Sequence, residues 1–160
     1  MQSRLDIQKA SPAGYQALVA LEHFVQRSSK LESSLLELVR IRASQINGCA
    51  FCLDMHSKDA RAEGETEQRL YTLSAWRETP FFTDRERAAL AWTEAVTNVA
   101  GNHISDSLYE ETRERFSEEE LYNLTLAVAA INSWNRLCIA FEAVPGTYQP
   151  ASRKRAGVSQ

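Results

Sequence analysis

The chain has 160 residues, of which 44% are apolar and 24% charged, with a formal net charge of −3. That is enough apolar material for one domain with a single substantial core and no disulfide staples. The slight negative charge excludes the electrostatic footprint of a nucleic-acid or acidic-membrane binder.

From Met1 to Ala10 charged and apolar residues alternate, without the continuous apolar stretch of a secretory signal, so a cytoplasmic protein is expected. Ser11-Pro12 reads as an N-cap followed by proline at the first helical position. Tyr15, Leu18, Val19, Leu21, Phe24 and Val25 then recur at helical spacing. A second helix is expected over Leu31 to Ile46, ended by Asn47-Gly48, and a third from the cysteines at 49 and 52 to about Glu63. Thr66 to Trp76 reads as a shorter fourth.

Thr83 and Glu86 form a capping-box pattern before an amphipathic fifth segment that ends at Gly101. Ser105 is placed to cap a sixth helix to Phe116. Ser117 with Glu120 repeats the capping box and launches a seventh, to about Ala143, which is apolar nearly all round and so suits the core or a subunit interface. Asn123, Asn132, Asn135 and Arg136 interrupt it, so no bilayer span is expected. Pro150 to Gln160 holds the only basic run, Arg153-Lys154-Arg155, and reads as a flexible tail beyond a domain of residues 1–149. The expected fold is all-α, a single-domain bundle of about seven helices.

Chemistry concentrates between Glu37 and His56. In a reducing cytoplasm, Cys49 and Cys52 point to catalysis, redox cycling or metal rather than to a disulfide framework. On a helix, positions 49, 52 and 56 fall within about 60° of one another and share a face. Cys49, at the first turn after Asn47-Gly48, meets free backbone N–H groups that stabilise a thiolate. His56, one turn past Cys52, suits proton transfer to or from a thiol or a leaving oxygen. Glu37 lies on a stripe with Ile41 and Ser44 that leads toward Gly48. It suits a general base if burial raises its pKa, or else a solvated carboxylate beside Arg40 and Arg42. A zinc site on Cys49, Cys52 and His56 lacks a fourth ligand, because His23, His103 and Cys138 lie far off in sequence. Cys138 reads as a packed core thiol, His23 and His103 as surface residues, and Trp76, Trp92 and Trp134 as core or interface aromatics.

The Glu-x11-Cys-x-x-Cys-x3-His arrangement of Glu37, Cys49, Cys52 and His56, with "ERAALAWTEAVT" (Glu86 to Thr97) and "INSWNRL" (Ile131 to Leu137), resembles the AhpD-like alkylhydroperoxidases of the carboxymuconolactone decarboxylase superfamily. The resemblance spans about residues 10 to 145. It implies an all-α fold, trimers or hexamers, and a thiol-dependent hydroperoxide reductase without metal or bound cofactor. A thioredoxin-like or lipoylated protein would recharge it. By position, Cys52 is then the peroxidatic thiol, Cys49 the resolving thiol, and His56 and Glu37 the proton relay. Where well-studied members place a histidine between the cysteines, this chain has Phe51, which moves no protons. A disulfide-exchange protein on the same scaffold, or a non-enzymatic helical scaffold with structural thiols, therefore stands as an alternative. Cys49, at the helix start, is expected to be the more exposed sulfur for the external reductant.

Overall fold

The computed structural model describes residues 2–150, so all but the first residue of the expected tail 150–160 lies outside the described residues. Among these residues eight α-helices and one 3-10 segment account for the regular structure: α1 (Ile7–Ala10), α2 (Pro12–Ser28), α3 (Ser33–Asn47), α4 (Ala50–Ala62), α5 (Glu67–Thr72), the 3-10 turn Leu73–Glu78, α6 (Asp84–Thr97), α7 (Asp106–Arg113) and α8 (Glu118–Ala140). The extra helix relative to the expected seven is α1, a single turn capped by the Asp6 carboxylate. Ser11 precedes Pro12 as expected but makes no side-chain cap bond. The expected fourth helix is tightened after Thr72, where Ala75 leaves helical geometry.

Both capping boxes form, with Thr83 and Glu86 opening α6 and Ser117 and Glu120 opening α8. Each satisfies N–H groups that a helix start otherwise leaves bare. α8 packs against α2, α3, α4, α6 and α7, which explains its apolar composition. The most enclosed stretch, however, is on α3. Leu35 through Ile41 are all buried, Glu37 and Arg40 included, because α4, α6 and α8 surround this helix.

The core has three clusters. Leu36, Val39, Leu124 and Val128 anchor the first, Leu38, Ile41, Leu73 and Leu90 the second. The third is small and holds Ala43, Ile131 and all three cysteines. Gly48 joins α3 to α4 with φ +72°, and its N–H returns to the Ser44 carbonyl. Gly48→Ala meets no atom within 4 Å of the added Cβ, so its cost is backbone strain alone. Urea unfolding is expected to show a loss of about 1 kcal/mol.

Candidate active site

The turn at Gly48 positions the first cysteine. The N–H of Cys49 also donates to the Ser44 carbonyl, at 3.0 Å. Cys49 then acts as N-cap of α4, its Sγ accepting the Cys52 N–H at 3.4 Å. Asn47 fixes this junction to α8 by donating to Asn135 at 2.8 Å and Asn132 at 3.0 Å, while Asn135 donates to the Ser44 hydroxyl at 3.0 Å. Asn132 and Asn135 of α8 are thus satisfied by the α3–α4 turn, with Thr97 and Arg136 completing the partners of Asn132, as buried polar groups must be.

The Sγ atoms of Cys49 and Cys52 are 2.6 Å apart. Cys138, read from sequence as a separate core thiol, joins them from α8, and all three sulfurs lie within 4.8 Å of one another. Ile131, Asn135 and Cys138 share a face of α8 at i, i+4, i+7 spacing. That polar, thiol-bearing face was the available signal. The expectation that Cys49 is the better exposed sulfur is not met, since Cys49 and Cys52 are each 1% exposed. Cys52 and Cys138, not Cys49, line a cavity of about 430 Å³.

The surroundings favour the anion on Cys49 over the other two thiols. Donation from the Cys138 and Cys52 thiols, the Cys52 N–H and the Asn135 amide holds Cys49 down to about 3 against the effect of burial. Hydrogen bonds to Cys138 and Cys49, with burial, push Cys52 up. Donation to Cys49 pushes Cys138 up to about 12. Reduced wild-type protein is therefore expected to keep the ultraviolet absorbance of one thiolate at pH values well below about 8.5, the ordinary thiol pKa. Cys49→Ser should lose that low-pH absorbance. A wild-type titration centred on the ordinary value would remove the anionic cluster.

Glu37 and His56 meet as the helical stripe suggests, through a 2.9 Å contact between Oε2 and Nδ1. Glu37 is not poised as a base with a raised pKa. Burial pushes its carboxyl up, but hydrogen bonds and charge from His56 and Arg40 outweigh this and hold it below its usual value. An ionised Glu37 accepts from Nδ1–H and leaves Nε2 as the nitrogen free to exchange protons. Nor is Glu37 solvated. It lies 2.6 Å from Arg40, itself 4% exposed, which also pairs with Glu22 and donates to Gln26 at 2.8 Å.

Phe51, Met55, His56 and Trp134 line the same cavity as Cys52, with Tyr15 set edge-on to Trp134 at 5.5 Å between ring centroids. His23, read from sequence as a surface residue, stands on this cavity's wall. Trp76 and Trp92 are core residues, 4% and 7% exposed. An adjoining cleft of about 440 Å³, also lined by His56, carries the charged side chains of Glu37, Arg40, Glu22 and Asp59 on its walls. Tyr148 closes one end, its hydroxyl donating to Asp59 at 2.7 Å. Among the described residues, two groups bring metal-ligating atoms within 4.8 Å of one another: the three cysteines, and Glu37 with His56 and Asp59. The second is ill suited to a cation, because the Arg40 guanidinium already occupies Glu37. No helix among the described residues is long and apolar enough to cross a membrane.

Comparison with known proteins agrees with this architecture. The model of the carboxymuconolactone decarboxylase family matches residues 12–95. Uncharacterized protein YdfG of Bacillus subtilis is 43% identical over 140 residues, covering 88% of this chain and 95% of that protein. A crystal structure from Agrobacterium tumefaciens, of a protein of unknown function and candidate antioxidant defence protein AhpD, superposes with TM-score 0.87 at 44% identity. It covers 92% of this chain and all of that one. An uncharacterized peroxidase-related protein from Ralstonia eutropha, described as an alkylhydroperoxidase AhpD core, shares the fold at TM-score 0.77 and 17% identity over 88% of this chain and 75% of its own.

Proposed function

This chain belongs to the carboxymuconolactone decarboxylase family, on its AhpD-like side, and from that premise we propose that it is a thiol-dependent hydroperoxide reductase. The observation that carries the reading is the shared cavity: Cys52 and His56 line one largely apolar space that Cys49 does not line, with the Cys49 sulfur 2.6 Å from that of Cys52.

The first step moves the Cys52 proton to the free Nε2 of His56, which lines the same cavity, and leaves a thiolate there. That thiolate attacks the distal peroxide oxygen. The O–O bond breaks, Cys52 becomes a sulfenic acid, and the leaving alkoxide takes a proton from His56, whose ring Glu37 holds in place. Cys49 condenses with the sulfenic acid, forming the disulfide and releasing water. An external dithiol protein, thioredoxin-like or lipoylated, reduces the disulfide by exchange and is itself oxidised. The apolar walls formed by Phe51, Met55 and Trp134 suit an organic hydroperoxide better than hydrogen peroxide. The reading includes a cytoplasmic homo-oligomer, trimer or hexamer, supported by the exposed Phe24, Tyr122 and Ile139 side chains.

Phe51 on the cavity wall supports a second reading, disulfide exchange with little peroxide turnover, because it removes one proton-transfer group from the site. Dithiothreitol-driven consumption of cumene hydroperoxide by the purified protein separates the two. Turnover above the protein-free rate is expected. Loss of two thiols per chain without turnover would replace the peroxidase by the exchange protein.

A further inference from the structure

We infer that Cys138 is a third redox-active thiol, able to form a disulfide with Cys52 in place of Cys49, so that the site is a three-thiol centre rather than a Cys-x-x-Cys pair. The inference deepens the proposed function and starts from that reading of Cys52 as the attacked sulfur. Three observations carry it. The Cys138 sulfur lies within 4.8 Å of both other sulfurs. It arrives from α8, a different helix, in an otherwise apolar cluster with Ala43 and Ile131 that offers it no other chemical partner. It faces the cavity together with Cys52, whereas Cys49 does not line it.

Oxidation at Cys52 therefore has two exits. The sulfenic acid on Cys52 condenses either with Cys49 or with the Cys138 thiol, and either route forms one S–S bond and releases one water. The two disulfides interconvert by a single exchange, in which the Cys138 thiolate attacks the Cys52 sulfur and expels Cys49 as thiolate. Cys49 is the best leaving group of the three, because its anion is the one its surroundings stabilise. The exchange moves the disulfide from a position with one sulfur on the cavity wall to one with both sulfurs there, where a dithiol entering the cavity reaches either of them.

The test uses Cys49→Ser, which removes the usual partner. Reduced protein is treated with diamide, which takes two electrons and two protons from a thiol pair, and is digested with trypsin without reduction. A monomeric chain that has lost both remaining thiols, with peptide 43–58 linked to peptide 137–153, is expected. Wild type at limiting diamide should show the same peptide pair, with fragmentation placing the bridge on Cys52, beside the internal 49–52 disulfide, so the outcome does not depend on the variant's folding. The inference is overturned if Cys49→Ser keeps both thiols, or links only between chains, while wild type yields the 49–52 disulfide alone.

Repeating the treatment with cumene hydroperoxide and dimedone separates this inference from the peroxidase reading. A 52–138 link under diamide with no oxidation by hydroperoxide upholds the three-thiol centre and removes the peroxidase. A dimedone-trapped Cys52 sulfenic acid in Cys49→Ser, with no 52–138 link under either oxidant, upholds the peroxidase and removes Cys138 from the chemistry.

Discussion

Cys52→Ser is expected to lower dithiothreitol-driven consumption of cumene hydroperoxide to the protein-free rate, a loss of at least about 10³-fold, because Cys49 does not line the cavity and the Cys138 thiol that does is pushed up to about 12 and stays protonated. A serine hydroxyl in this apolar cavity stays protonated and is not oxidised by peroxide. Cys49→Ser has a different signature. Its Cys52 still reacts once, so a burst of one peroxide per chain precedes slower turnover through whatever thiol resolves the sulfenic acid. The contrast follows from placement, since Cys52 lines the cavity and Cys49, its sulfur 2.6 Å from that of Cys52, does not. A burst kept in Cys52→Ser and lost in Cys49→Ser would reassign the attacking thiol to Cys49, whose anion is the more stable of the two. The assay thus decides between the sulfur that has access and the sulfur that carries the resting charge.

His56 reports on the other half of the reaction. Its partner Glu37 sets which ring nitrogen is free, so the pair was readable from sequence only insofar as helical spacing could bring two helices together. The stripe of Glu37, Ile41 and Ser44 did point at the α3–α4 turn, and the break at Asn47-Gly48 did place Cys49 at a helix start. Capping boxes at Thr83 and Ser117 were equally plain, because each is closed by atoms three residues apart. Local chemistry of this kind is written in the sequence.

What stayed hidden depends on contacts between distant segments. Cys138 lies 86 residues beyond Cys52, and only the packing of α8 against α4 brings it to the thiols. His23 is exposed and carries no motif, yet α2 sets it on the cavity wall opposite α4. Glu37 offered two readings, a raised-pKa base or a solvated acid, and the structure supports neither. Which one applied hinged on whether Arg40, one turn away, was buried with it. α1 escaped notice because a single turn carries no periodicity.

Arg40→Met is expected to cost about 3–5 kcal/mol in urea unfolding, the largest stability loss among single substitutions near the site, because it strands Glu37 as an uncompensated buried charge. Arg40 is held on one side by Glu37 at 2.6 Å and on the other by Glu22, and it is 4% exposed. The methionine keeps the aliphatic volume, so the loss reports charge rather than cavity. Glu37→Gln in the same chain removes the stranded anion, and the double variant should recover a large part of the deficit.

The pH dependence fixes the sign. In wild type Glu37 sits below its ordinary value of 4.5, so its contribution is complete above that value and is lost as pH falls through the lower folded pKa. Without Arg40, burial raises the carboxyl, the folded chain takes up a proton at higher pH, and the deficit of Arg40→Met shrinks as the solution is acidified. A loss below about 1 kcal/mol at neutral pH, or a deficit that grows toward acid, would mean that Glu37 is not the buried anion holding His56 in place.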